Sequence, residues 1–264
     1  MTVRLIVSDL DGTLLGADGQ LSRATIDAIR RVRASGITFL AATGRAPRSA
    51  IERVGGRGLL DALVCSNGSI VHDPETDRNV RRRTIDPGHV ADVIASLDTA
   101  FDDLSYAWEL PDRYAWDTAF HPIATEHDDM FMFEPGERPN GADRITKLLV
   151  SHPELLRTEL RDALLPHLPH PLSVGCSGVT FVELTGPDVN KATTIAQLAS
   201  ELGVTAEETI AFGDNANDLE MLAWAGTGIA MGNAHDETKA AADEVIGHHA
   251  DDAVADYLLS LVST

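Results

Sequence analysis

The sequence predicts an α/β protein: a doubly wound parallel-sheet (Rossmann-like) core with an α+β segment inserted into it. Three observations carry this. Short, nearly all-apolar runs recur, each followed by a turn and a helix, the rhythm of strands buried on both faces of a parallel sheet. The rhythm stops near residue 83 and resumes near residue 186. Finally, 264 residues with a 44% apolar share suffice for one large domain or two of modest size.

The first apolar run is residues 3–7, and Asp11-Gly12-Thr13 turns the chain after it. A helix is expected over residues 21–34, with Ser22 as its cap, Ile26, Ile29 and Val32 facing inward, and Gly36 as its stop. Residues 37–42 form the second strand and end in Thr43-Gly44-Arg45. A helix over 47–54 leads to a third strand, 62–65, before Ser66-Asn67-Gly68. Arg81 to Arg83 read as a solvated hinge. Beyond it, strands are expected over 104–110, 114–117, 146–151 and 179–184, and helices over 87–97 and 153–165. That mixture is α+β. The alternating pattern then returns: a helix over 191–202 stopped by Gly203, a strand over 209–212, a helix over 219–225, a strand over 228–231 and a helix over 235–242. The core is therefore discontinuous, residues 1–83 and 186–264, with 84–185 inserted.

Charge and composition exclude several function classes. A formal charge of −20 disfavours nucleic-acid and anionic-membrane partners, because phosphate surfaces attract Lys and Arg. Any anionic substrate must then be held by local cations or a metal. The two cysteines, Cys65 and Cys176, form no CxxC, so neither a disulfide framework nor a zinc site is indicated. The apolar stretch at the N-terminus is too short for a signal peptide, and no 18-residue apolar run occurs, so the expectation is a soluble cytoplasmic protein. Lysines number three against 18 arginines, and Asp outnumbers Glu 26 to 15. Codon bias or adaptation to high salt would each produce this.

Three strands end in small polar or acidic residues: Asp9 and Asp11, Thr43, and Asp214 with Asp218. In an open α/β sheet, ligands bind beyond the carboxyl ends of the strands, where such residues meet. Four carboxylates brought together repel unless a cation neutralises them or some hold protons. A hard divalent cation is the natural partner, and Mg²⁺ favours a few carboxylates plus waters and substrate phosphate. Two acidic clusters at two strand ends, with Thr-Gly-Arg at a third, go beyond what turn and cap residues alone would explain.

These strings resemble the motifs of the haloacid dehalogenase-like phosphatases. Asp9-Leu10-Asp11-Gly12-Thr13 is similar to the first motif, Thr43-Gly44-Arg45 to the second, Lys191 to the third and Gly213-Asp214-Asn215-Ala216-Asn217-Asp218 to the fourth. The longer strings over residues 213–222 and 230–234 resemble the Cof-type branch, subfamily IIB, and the insertion resembles that branch's cap. The resemblance implies phosphoryl transfer in two steps, with Asp9 as nucleophile forming an aspartyl-phosphate and Asp11 as general acid and base. It implies Mg²⁺ on the Asp9 carboxylate, the Asp11 backbone carbonyl and the Asp214 carboxylate, with Asp218 in an outer shell. It further implies phosphate contacts from Leu10 (through its backbone), Thr43, Gly44, Lys191 and Asn217. Arg45 and Arg48 offer further cations for phosphate, though a surface salt bridge suits Arg48 better. The segment over 248–255 lacks the Asn and Gly that the branch carries there.

The expected activity is a Mg²⁺-dependent phosphomonoester hydrolase of small phosphorylated metabolites, sugar phosphates first. A phosphomutase on the same core, or a non-catalytic sugar-phosphate-binding regulator, is the alternative. The inserted cap would set the substrate, with Trp108, Tyr114, Trp116, His121 and His127 as candidates to touch the leaving group. Other signals carry no chemistry. Asn67-Gly68-Ser69 is better explained as a strand-tip loop than as a sequon, Gly175-Cys176-Ser177-Gly178 lacks the frame of a nucleophile elbow, and the adjacent His248 and His249 cannot both face one site on a strand.

Overall fold

The computed structural model describes residues 2–56, 58–110, 114–117, 120, 144–155, 157–176 and 180–262. The chain gathers into two units, Met1–Arg81 with Asn190–Thr264, and Arg82–Val189.

The first unit opens with β1 (Leu5–Ser8), buried throughout. Helix α1 (Arg23–Ala34) starts at Ser22, whose side chain accepts the Thr25 amide at 3.0 Å and so satisfies one of the orphan donors of the first turn. Strand β2 (Thr38–Ala42), helix α2 (Pro47–Val54) and strand β3 (Ala62–Cys65) follow. Proline begins α2, where its missing amide is harmless. The structure then departs from expectation. The chain turns back through β4 (Ile70–Asp73), antiparallel to β3, and β5 (Arg78–Arg82) extends the sheet as its edge. Arg81 and Arg82 thus belong to a strand, and the division between the two units falls between them. Strand β5 has no apolar face, and its one large apolar side chain, Val80, is 63% exposed, so it carries no hydrophobic alternation to read.

The second unit contains α3 (Pro87–Ala100), β6 (Ser105–Glu109), β7 (Tyr114–Trp116), β8 (Lys147–Ser151), α4 (Arg157–Leu164), β9 (Ser173–Gly175) and β10 (Phe181–Thr185). Its sheet runs β7-β6-β8-β10-β9, with antiparallel neighbours. One face of this sheet (Tyr106, Trp108, Leu148, Val150, Val182, Leu184) packs with Val90, Val93 and Leu97 of α3 and Leu160 and Leu164 of α4. Because side chains alternate, Glu109, Lys147 and Glu183 share the other face. Helix α4 begins later than its apolar pattern, since His152 Nδ1 accepts the amides of Glu154 and Leu155 in a separate turn.

The chain re-enters the first unit at α5 (Lys191–Glu201), capped by Asn190, which accepts the Thr193 amide at 2.8 Å. Strand β11 (Thr209–Gly213), α6 (Leu219–Trp224), β12 (Thr227–Ala230), α7 (Asp236–Ala241), β13 (Glu244–Val245) and α8 (Ala253–Val262) complete it. The sheet order is β13-β12-β11-β1-β2-β3-β4-β5, parallel from β13 through β3. Ile6, Ile29, Phe39, Leu63, Phe212 and Leu258 fill one side of it, and Leu5, Val7, Leu40, Val64, Ile195 and Met221 the other. Burial on both sides is why these strands read as unbroken apolar runs. Sequential strands leave β1 in one direction toward β3, and the later ones lie on its other side. The switch in strand order falls at β1 and β11, where α/β sheets hold their ligands.

Candidate active site

Four loops meet beyond the carboxyl ends of β1, β2, β3 and β11. Asp9 leaves β1 with its amide donating to the Phe212 carbonyl of β11 at 2.9 Å, which ties the two strand ends together. Its carboxylate accepts from Lys191, Nζ to Oδ1 at 2.6 Å, and the same ammonium donates to Asp218 Oδ1 at 2.7 Å. Lys191 is the first residue of α5, and it is 1% exposed. Asp218 is fully buried, and its Oδ2 accepts the amides of Asp214 and Asn215, both at 3.1 Å. Asp214 accepts the Thr13 hydroxyl on Oδ1 at 2.9 Å. Oxygens of Asp9, Asp214 and Asp218 all lie within 4.8 Å of one another.

The wide turn over Leu10–Leu14 brings Thr13 to Asp214, and it depends on Gly12. Gly12 has φ +77°, and a Cβ built there would sit 2.4 Å from Asp214 Oδ2. Only glycine lets the turn pass that close. Asn233 closes the turn from outside, Nδ2 to the Gly12 carbonyl at 2.8 Å. His249 adds a ring contact, Nδ1 to the Leu15 carbonyl at 2.7 Å, and its amide donates to Asn233 Oδ1 at 3.0 Å. The segment over 248–255, read from sequence only as a departure, therefore braces the loop that carries Asp11.

At the second strand tip Thr43 is buried, and its hydroxyl accepts the Arg45 amide at 3.1 Å. The amides of Asn67 and Ser66 donate to the Thr43 and Arg45 carbonyls at 3.0 and 2.9 Å. Asn67 Oδ1 accepts from Asn217 Nδ2 at 3.1 Å, joining the β3 tip to the loop after β11. Ser66 and Asn67 hold left-handed backbone, φ +52° and +54°, a strained geometry for non-glycine residues. Asp11 pairs with Arg45 through both carboxylate oxygens at 2.7 Å.

Electrostatics follow from burial. Desolvation pushes the Asp9 carboxyl well above the usual carboxylate range; Lys191 pulls it back, while Asp218, Asp214 and Asp11 push further. Burial, then repulsion from Asp218, raises Asp214 to about 6, against relief from the Thr13 hydroxyl, Lys191 and His249. Burial alone would depress Lys191, yet Asp218 and Asp9 prevail and hold it above the ordinary lysine range. One ammonium among three carboxylates leaves a negative excess in a desolvated place. All the donors are hard oxygens, which fits a Mg²⁺ ion. Both oxygens of Asp218 are engaged by Lys191 and backbone amides, whereas Asp9 and Asp214 each hydrogen-bond through Oδ1 alone among the described residues. Asp9 and Asp214 are therefore the carboxylates fitted to ligate a cation, and Asp218 is fitted to hold Lys191 and the turn.

Of the residues expected from sequence, Asp9, Lys191, Asp214 and Asp218 come together directly, and Thr43, Asn217 and Asp11 join through Asn67 and Arg45. Leu10 and Gly44 lie on the same two loops. Sequence reasoning missed Thr13, Asn67 and Asn233; the small polar run Ser66-Asn67-Gly68 at a strand end was the available signal. In the second unit, Trp108 is 2% exposed in the core beneath the helices, so it is a packing residue and not a leaving-group contact. Tyr114 donates its hydroxyl to Glu109 Oε2 at 2.9 Å. The Trp116 side chain, His121 and His127 lie outside the described residues.

Comparison with known proteins identifies the family. The sequence profile of the haloacid dehalogenase-like hydrolases matches residues 6–258. A 5-amino-6-(5-phospho-D-ribitylamino)uracil phosphatase of Bacillus subtilis is 31% identical over 264 residues, covering 96% of each chain. A pyridoxal phosphate phosphatase of Escherichia coli is 27% identical over 272 residues, covering 98% of this chain and 99% of its own. Among solved structures, the subclass IIB sugar phosphatase BT4131 superposes with a TM-score of 0.80 at 22% identity, over 98% of each chain, and so shares the fold. The chain belongs to the haloacid dehalogenase-like hydrolases and is a phosphatase of that family.

Proposed function

We propose that this phosphatase hydrolyses phosphomonoesters of small metabolites in the cytoplasm, sugar phosphates first among them, through an aspartyl-phosphate on Asp9 and with Mg²⁺ as cofactor. The observation that carries the reading is the Asp9 carboxylate, desolvated at the switch point of the sheet and held 2.6 Å from a buried ammonium. An oxygen held there is aimed.

Asp9 attacks phosphorus and the bond to the leaving oxygen breaks, while Asp11 delivers a proton to that oxygen. Asp11, now a carboxylate, takes a proton from water as the water attacks phosphorus, and cleavage of the Asp9–phosphorus bond frees phosphate. Lys191, the Thr43 hydroxyl, the Gly44 and Leu10 amides and the Asn217 side chain are assigned to the non-transferred phosphoryl oxygens, where charge builds in the transition state. The Asp9 and Asp214 carboxylates and the Asp11 backbone carbonyl would hold Mg²⁺, which would supply positive charge that lets an anion approach an anion. The 182 positions that separate Asp9 from Lys191 leave room for the inserted unit, 82–189, which is assigned the role of substrate-selecting cap.

The test is phosphate release from para-nitrophenyl phosphate with Mg²⁺ and with chelator, for the native chain and Asp9→Asn, followed by a panel of phosphorylated sugars, nucleotides and vitamin precursors. Activity that needs both Mg²⁺ and Asp9 is expected. Release unaffected by Asp9→Asn would overturn the covalent route.

A further inference from the structure

Both oxygens of Asp11 are taken by a single neighbour. Arg45 donates Nε to Oδ2 and Nη2 to Oδ1, each at 2.7 Å, the two-point fork that a guanidinium makes with a carboxylate. Arg45 is anchored at further points. Its Nη1 donates to Ser49 Oγ of α2 at 2.9 Å, its amide donates to Thr43 Oγ1 at 3.1 Å, and its carbonyl accepts the Ser66 amide at 2.9 Å. The Asp11 side chain is 48% exposed against 22% for Arg45, so the pair adds little stability of its own. What so braced a partner does is fix where an otherwise solvent-facing carboxylate sits. Among the described residues, Arg45 is the side chain that Asp11 bonds.

Resting on the acid–base reading of Asp11 given above, we propose that Arg45 is a positioning residue for Asp11, holding its carboxylate in a fixed place from which it turns to pass a proton. A guanidinium has five donors in a rigid plane and no acceptor, so the fork fixes the plane and position of the two Asp11 oxygens. After the proton is given to the leaving oxygen, the carboxylate returns to two-point pairing until it accepts a proton from water. Arg45 acts through Asp11 and touches no reacting atom in this scheme.

The test compares two esters by kcat/KM, which reports the first transfer: para-nitrophenyl phosphate, whose leaving group departs without a proton, and an alkyl phosphate, whose leaving group needs one. Arg45→Met is expected to lower the alkyl rate about a hundredfold and the aryl rate about tenfold or less, within the usual range for general acid catalysis, with a thermal midpoint close to native. In an Asp11→Asn background, adding Arg45→Met is expected to change the aryl rate less than about twofold, because nothing remains to position. Ser49→Ala, which removes one anchor and spares the fork, gives a smaller loss with the same skew and serves if Arg45→Met does not fold. Equal losses on both esters, or full additivity with an impaired Asp11→Asn, would overturn the proposal alone. An Asp11→Asn enzyme with native alkyl rates would overturn the acid–base reading, and the proposal with it.

Discussion

Two of the three lysines in this arginine-rich chain are buried, and each lies between two carboxylates. Lys191 joins Asp9 and Asp218; Lys147 reaches Glu183 at 2.6 Å and Glu109 at 3.7 Å on the second unit's sheet. A compact ammonium on a flexible stem fits between two carboxylates where the broad guanidinium fork does not. Lys191→Met therefore strands two buried carboxylates, and urea unfolding of the metal-free protein should show a loss of about 3–5 kcal/mol. Lys191→Arg should not restore activity, because its charge cannot occupy the same point. Asp214 sets a pH dependence. Its carboxyl is raised from 3.8 to about 6 in the fold, so the metal-free native state binds more protons than the unfolded chain between those values. The stability tied to this proton is present at low pH and is lost as pH rises through about 6. A cation must displace the proton, so Mg²⁺ should raise the thermal midpoint clearly at pH 7.5 and far less at pH 5. Equal stabilisation at both would contradict cation binding at Asp214.

Helix α5 carries Lys191 on its first turn, and Asn190 sets where that turn begins. The Asn190 side chain accepts the Thr193 amide, and the Thr193 side chain caps the Asn190 amide in return. Asn190→Ala should cost about 1 kcal/mol of stability and also lower kcat, because the helix start locates the ammonium. A stability loss with an unchanged kcat would show that Asp9 and Asp218 alone hold Lys191 in place. The capping of α1 by Ser22, the proline at the start of α2 and the boundaries of the buried parallel strands were all legible, because each rests on a pattern within a few residues. Strand β5 was not, since an edge strand needs no apolar face. Nor was α8, which buries Val254, Ala255 and Leu258 beside α1; its start is obscured by the acidic segment before it.

At the scale of the molecule, 41 acidic against 21 basic residues leave a charge of −20 that opposes compaction. Screening should relieve it, so raising NaCl from about 0.05 M to about 1 M, where the Debye length falls to about 3 Å, should raise the thermal midpoint at constant Mg²⁺. A flat or falling response would mean that the paired carboxylates already neutralise most of the repulsion. No helix among the described residues is long and apolar enough to cross a membrane. The sequence by itself determined the alternation of buried strands and helices, the interruption of that alternation and the three polar strings at strand ends, because periodicity, caps and glycine turns act over a few residues. Only the tertiary structure decided that Asp11 belongs to Arg45, that Asn67 links Thr43 to Asn217, that Asn233 and His249 brace the Gly12 turn, and that Trp108 is core. Those pairings join residues up to 234 positions apart along the chain, and strand order, which no local pattern encodes, is what brings them within bonding distance.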